Sequence, residues 1–236
     1  MYRTNMRVEL SSRVRACWRF KVLLTLLLNL FFWIGYGYLA YHRFFPLWIP
    51  PTTWVDKWVP FQPKGWSFIY LSESILTLAV PWLLTRGEEL RRYAVGLAFL
   101  MGVSFLLFLF CPVASPRPPG ITGEGWHGLI VTWDGPYNAF PSLHAGFVTY
   151  TLLLARRVFR SPLARYIWPA LWSWGVLIMI STLATRQHYF VDLVVGAALG
   201  VAAHAVSMAG FIRRTGDSAA SITLRRNGET SQAGSK

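Results

Sequence analysis

The stretch YAVGLAFLMGVSFLLFLFCP, residues 93–112, runs for 20 residues without a charged side chain, directly behind the basic pair Arg91 and Arg92. As a helix it would be about 30 Å long, the thickness of a bilayer's hydrocarbon core. A surface helix of a water-soluble domain needs one polar face, and this stretch has none. Working outward, apolar stretches of similar character fall at 22–41, 67–85, 141–155, 167–184 and 190–212. The expected fold is therefore all-α, a polytopic membrane bundle of six transmembrane helices over 22–212. Composition agrees: 54% hydrophobic against 14% charged leaves too little polar surface for a soluble enzyme. Its 12 Trp, 10 Tyr and 16 Phe suit the bilayer interfaces. Residues 1–21 read as a basic N-terminal arm. Residues 213–236, rich in Ser, Thr, Gly and Arg without periodicity, read as a disordered tail. Cys17 and Cys111 offer neither a disulfide framework nor a cysteine metal cage.

A net charge of +13 invites a nucleic-acid partner, but the distribution of the charge is topological. Eighteen of the 23 Lys and Arg residues lie before the first stretch, after the second, after the fourth or in the tail. The remaining five are Arg43, Lys57, Lys64, Arg117 and Arg186. The excess of basic residues on the cytoplasmic side then places both termini inside and loops 46–66, 113–140 and 185–189 outside. The expected partners are membrane lipids, with anionic inner-leaflet headgroups meeting the basic side. The first stretch reads as an uncleaved anchor, because Tyr36, Tyr38, Tyr41 and His42 stand where a cleavage site needs small residues. Loop 46–66, with Trp48, Trp54, Trp58 and Trp66 among five prolines, reads as an interfacial cap. The short loops suit a bacterial inner (plasma) membrane.

Three clusters in the outer loops carry chemistry: Ser115-Pro116-Arg117-Pro118, Asn138 through His144, and Arg186 through Asp192. At a spacing of four, Asp192 is expected to accept a hydrogen bond from one ring nitrogen of His188 and leave the other nitrogen a free lone pair. His144 can then give a proton to a leaving group. Arg117 and Arg186 offer planar forks for phosphate oxygens, and Ser142 at a helix N-terminus favours the same anion. Asn138 completes the set of phosphate-binding candidates. Asp134 and Glu124 are outer-loop carboxylates without metal-ligand spacing, so neither metal nor cofactor is expected. His42, His127 and His204 read as interfacial anchors. Glu73, an ionisable group inside the second stretch, has no assigned role. Gly146, Gly196, Ala197, Ala198, Gly200, Ala202 and Ala203 give two stretches small faces suited to close helix contact.

Pro141-Ser142-Leu143-His144 followed by His188-Tyr189-Phe190-Val191-Asp192, with Pro116-Arg117-Pro118 upstream, resembles the type 2 phosphatidic acid phosphatase superfamily over residues 93–212. The resemblance implies a six-helix membrane enzyme with His188 as nucleophile, Asp192 orienting it and His144 as general acid. It also implies Arg117 and Ser142 as phosphate ligands and a phosphohistidine intermediate formed without metal. Two positions depart from the pattern: Phe110 stands where the family has Lys, and Thr182 where it has Arg, with Arg186 as the nearest substitute. Segment 138–144 read with 188–192 is more similar to the inositol phosphorylceramide synthase branch. That branch implies transfer of a phospho-headgroup to an alcohol as an alternative to hydrolysis. A non-catalytic phospholipid transporter is the competing reading from the span layout. Under the enzyme reading, activity against lipid phosphates falls on acidification, as protonation removes the nucleophile's lone pair. A pH–rate profile flat down to about pH 4 would contradict it.

Overall fold

The computed structural model describes residues 2–121, 123–158 and 164–209; the tail predicted at 213–236 and the last residues of the sixth stretch lie outside them. The described residues form helices and no strand. They are α1 (Tyr2–Arg15), α2 (Trp18–Leu39), α3 (Trp54–Trp58), α4 (Pro63–Leu71), α5 (Glu73–Trp82), α6 (Gly87–Phe110), α7 (Gly125–Trp133), α8 (Leu143–Val158), α9 (Ala164–Ala184) and α10 (Phe190–Ala209). Four helical segments are long and apolar enough to cross a bilayer: Trp18–Leu39, Gly87–Phe110, Ile167–Ala184 and Phe190–Ala209.

The other two predicted spans are helical but depart from the simple form. The second is broken at Ser72 into α4 and α5. The Ser72 hydroxyl donates to the Ile69 carbonyl at 2.6 Å and accepts from the Trp174 indole at 2.8 Å, so the break is tied to α9. The fourth span, α8, has 16 residues, about 24 Å of helix. It is a core helix: Ala145, Val148, Tyr150, Thr151, Leu152 and Ala155 along it are all fully buried. Helices α5, α6 and α9 pack around it. The short helices α3 and α7, in segments 46–66 and 113–140, were not anticipated. The capping box of Thr53 and Asp56 starts α3, with the Asp56 carboxylate accepting from the Thr53 amide at 2.7 Å. The predicted basic arm is also mostly helix. Lys21, in α2, is buried, its ammonium donating to the carbonyls of Arg13 at 2.6 Å and Trp82 at 2.8 Å. It thereby caps the C-termini of α1 and α5 together.

On its other side α2 leaves Leu23, Leu26, Leu27, Leu30, Trp33 and Ile34 exposed, the face expected toward lipid. Without water to drive apolar groups together inside a bilayer, helix association rests on close packing and interhelical hydrogen bonds. Both are present. The Tyr150 hydroxyl donates to the Tyr93 carbonyl at 3.1 Å, and the Tyr93 hydroxyl donates to the Thr77 carbonyl at 2.9 Å, linking α8, α6 and α5. The small-residue stripe is used for contact: a side chain at Gly196 would strike the Ser142 backbone, and one at Gly200 would lie 2.6 Å from the Gly146 carbonyl. Here α8 and α10 touch backbone to backbone.

Gly196→Ala is expected to lower the thermal midpoint, by about 1–3 kcal/mol of stability, because backbone has to move. Gly37→Ala, at a helical position with open space around it, is expected to stabilise by about 0.5–1 kcal/mol. Paired melting curves in detergent read both; equal shifts would contradict the packing.

Candidate active site

Between α6 and α8 the chain is held in extended passes. Val113 bridges Trp48 on one side and Asn138 on the other. The Val113 amide donates to the Tyr137 carbonyl at 3.2 Å, and the Ala139 amide returns to the Val113 carbonyl at 3.3 Å. This lattice carries segment 138–142 across to α10, where the Ser142 amide donates to the Asp192 carbonyl at 3.0 Å. The peptide between Phe140 and Pro141 is cis. The result is a fixed carbonyl at Ala139 facing the α9–α10 turn.

His188 stands in that turn, buried, with Nδ1 2.7 Å from the Ala139 oxygen. A carbonyl can only accept, so Nδ1 carries the proton and Nε2 is the free lone pair. Asp192 was expected to be this acceptor. Its Oδ2 lies 3.8 Å from Nδ1 and instead accepts from the Tyr189 amide at 2.7 Å. The reason is local. Helix α10 begins at Phe190, so His188 precedes it and does not share a helical face with Asp192. The Asp192 carboxylate, in the first turn, reaches back to the open amide of Tyr189 just before the helix. Fully buried, it still places negative charge beside the ring.

His144 is the second residue of α8, its ring centroid 5.7 Å from that of His188. Tyr70 of α4 packs on it with centroids 4.1 Å apart, and the Tyr70 oxygen is 3.4 Å from His144 Nδ1. The Tyr70 proton is committed elsewhere, to Asp134 Oδ2. The Tyr70 oxygen is therefore placed to accept from His144 Nδ1, with the Asp134 carboxylate behind it. Tyr36 of α2 donates to the other oxygen of Asp134 at 2.6 Å. Neither tyrosine had a signal in the sequence, and Asp134 had only its place in an outer loop. Their partners are 64 and 98 residues apart along the chain.

The remaining predicted residues divide. Arg117 donates through Nε at 2.8 Å to Oε1 of Gln187, the residue before His188, and through an Nη to the Asp134 carbonyl. Asn138 donates to the Tyr36 carbonyl at 3.1 Å, and its Oδ1 is buried without a partner among the described residues. The Ser142 hydroxyl accepts from the Ala145 amide at 3.3 Å, the N-cap of α8. Arg186 is not brought to the histidines. Its backbone is left-handed, φ 56°, and its guanidinium donates to the carbonyls of Asp56 at 2.7 Å and Val59 at 3.0 Å. It closes the C-terminus of α3. His127 of α7 is buried against Phe61, and burial and the Arg117 charge lower its pKa against the opposing Thr185 backbone hydrogen bond. Among the described residues no three His, Cys, Asp or Glu side chains group as metal ligands.

His144, His188, Asp134 and Asn138 line one cavity of about 130 Å³. A second, mainly apolar cavity of about 160 Å³ lies between α2, α5 and α6. Phe32, Trp33, Glu73 and Phe147 border both. The chamber that holds the two histidines thus adjoins a second recess.

A family model described as the PAP2 superfamily matches residues 47–206, and the chain belongs to that superfamily, whose members are generally phosphatases or phosphotransferases. The matched range contains both histidines, Asp192, Arg117 and the bridged passes at Trp48, Val113 and Asn138. Comparison with curated proteins and with solved structures finds no match.

Arg186→Ala removes two hydrogen bonds from a charged donor to the end of α3. It is expected to lower stability by about 1–3 kcal/mol in thermal melts; an unchanged midpoint would contradict the capping role.

Proposed function

We propose that this chain is an integral-membrane enzyme that cleaves a phosphomonoester or pyrophosphate of a lipid at the extracytoplasmic face through a phosphohistidine. The observation that carries the reading is the hydrogen bond from His188 Nδ1 to the Ala139 carbonyl, which presents Nε2 as a nucleophile toward the cavity it shares with His144. Nε2 forms a bond to phosphorus as the bond from phosphorus to the leaving oxygen breaks, and protonated His144 gives that oxygen its proton. The then-neutral His144 takes a proton from water as the water oxygen attacks phosphorus and the N–P bond breaks. Phosphate leaves and His188 is restored. Asp192 and the Ala139 carbonyl stabilise the positive ring during attack, and Tyr70 with Asp134 does the same for protonated His144. The N-terminus of α8 and the charge of Arg117 favour the anion.

Six crossings, cytoplasmic termini and a plasma-membrane location belong to the same proposal. The apolar recess supports a lipid substrate, since it offers a tail a place beside the chamber. Phe110 is exposed and Thr182 is fully buried with its hydroxyl turned to the Met179 carbonyl, so neither supplies the positive charge the family pattern has there. With a weaker phosphate clamp, an alcohol such as inositol in place of water makes the second step a transfer. A transporter reading leaves the oriented His188 without a use.

Purified protein in EDTA is expected to release phosphate from one or more members of a panel of lipid phosphates and pyrophosphates. His188→Ala is expected to lower the rate by at least about 10³-fold. Suppression of release by inositol assigns the transfer step; equal release by wild type and His188→Ala would sink the enzyme reading.

A further inference from the structure

The turn that carries His188 is fastened from outside by α3. Successive amides along it find acceptors: those of Gln187 and His188 point to the Thr182 carbonyl at 3.0 and 3.4 Å, and that of Tyr189 donates to Asp192 Oδ2 at 2.7 Å. The next amide, of Phe190, opens α10 and donates to Asp56 Oδ1 at 2.7 Å. Of these acceptors, Asp56 is the one that belongs to neither α9 nor α10. The first amides of a helix have no partner within it, so α10 takes the cap of its first residue from a position 134 residues away in sequence.

Asp56 serves two helices at once. Its Oδ2 accepts from the Thr53 amide and hydroxyl, both at 2.7 Å, which starts α3. That capping box uses one oxygen and leaves the other for α10. The carboxylate is buried and pairs with no Lys or Arg side chain among the described residues. Burying a charge is costly, and the open amide end of α10 is what offsets it. A carboxylate accepts on both oxygens, so it can hold both helices.

Arg186 is the second observation. Its backbone is left-handed, φ 56°, a conformation that costs energy for a residue with a Cβ and persists where the surroundings hold it. Here the hold is α3 and the chain after it. The Arg186 guanidinium donates to the carbonyls of Asp56 and Val59, and the Gln62 amide donates to the Ala184 carbonyl at 3.0 Å, just before the turn. Asp56 thus meets the turn on both sides of His188, through its carbonyl at Arg186 and its carboxylate at Phe190. A turn released from α3 relaxes, and the bond from His188 Nδ1 to the Ala139 carbonyl depends on where the turn sits.

We propose that Asp56 is a positioning residue for the reaction: it clamps the turn on both sides of His188, keeps Nδ1 on the Ala139 carbonyl and so keeps the Nε2 lone pair toward the cavity. The proposal rests on the phosphoryl-transfer reading given above. Asp56 borders neither cavity, so its loss acts on the chemical step and not on substrate binding.

Two measurements on the full chain in detergent test it, with Thr53→Ala as the matched control, since that change weakens the start of α3 and leaves the link to Phe190. The first reads the His188 tautomer without substrate, by NMR of isotope-labelled histidine ring nitrogens, assigned from the signal missing in His188→Ala. Wild type and Thr53→Ala are expected to show one form, protonated at Nδ1, and Asp56→Ala a mixture of both tautomers. The second uses whichever lipid phosphate of the panel above the wild type turns over fastest: Asp56→Ala is expected to lower kcat at least about tenfold with KM within about threefold. Asp56→Asn keeps one acceptor oxygen and is expected to fall between wild type and Asp56→Ala in both measurements; it carries the comparison should the alanine variant not fold. An unchanged tautomer in Asp56→Ala, a kcat equal to that of an active wild type, or an equal effect of Thr53→Ala overturns the proposal. A mixed tautomer in Asp56→Ala with no turnover by the wild type keeps the link between Asp56 and His188 and defeats the phosphoryl-transfer reading. Turnover that needs His188 and not Asp56 does the reverse.

Discussion

A single hydrogen bond, from Nδ1 of His188 to the main-chain carbonyl of Ala139, decides which ring nitrogen keeps a free lone pair. Using a backbone carbonyl makes the tautomer a property of the fold. Ala139 is placed by its ladder with Val113, and Ser142 is tied to the Asp192 carbonyl. Ser142 also caps α8, which begins one residue before His144. Both histidines are thus positioned from one five-residue segment, and the close contact of α8 with α10 keeps the segment against the turn that holds His188. Displacing that segment would disturb the His188 tautomer, the placement of His144 and the helix contact together.

The second ring of interactions serves His144. A tyrosine from α4 accepts from its Nδ1 side, and a carboxylate from the α7 end anchors that tyrosine, with a further tyrosine from α2 on the other oxygen. The arrangement parallels the one at His188, where a carbonyl accepts and Asp192 stands behind. In each case an uncharged oxygen touches the ring and a carboxylate, fully buried at Asp192 and half-buried at Asp134, supplies the field at one remove.

Much of this was legible in the sequence because it is carried by short-range patterns. Apolar length anticipated the four long apolar helices, and the segments picked out by the spacing of Asn138 through His144 and of His188 through Asp192 are brought together by the fold. What failed did so for identifiable reasons. The i, i+4 rule was applied to His188 and Asp192 although the helix starts between them, so the acceptor was misassigned. Arg186 was read by its charge, while its left-handed backbone turns it to the α3 carbonyls. Tyr36, Tyr70 and Asp134 meet only through the tertiary fold, and no linear pattern announces a contact 98 residues apart. The α4–α5 break depends on Trp174 reaching Ser72 across the bundle.

The central claim is that phosphorus passes through Nε2 of His188. Rapid acid-free quenching of the protein with a lipid phosphate labelled at phosphorus, followed by peptide mapping, tests it most directly. The account predicts label on the Nε2 position of His188, accumulating in His144→Ala if loss of that residue slows the second step more than the first. Label on His144, or steady turnover with no labelled histidine at any quench time, would contradict it.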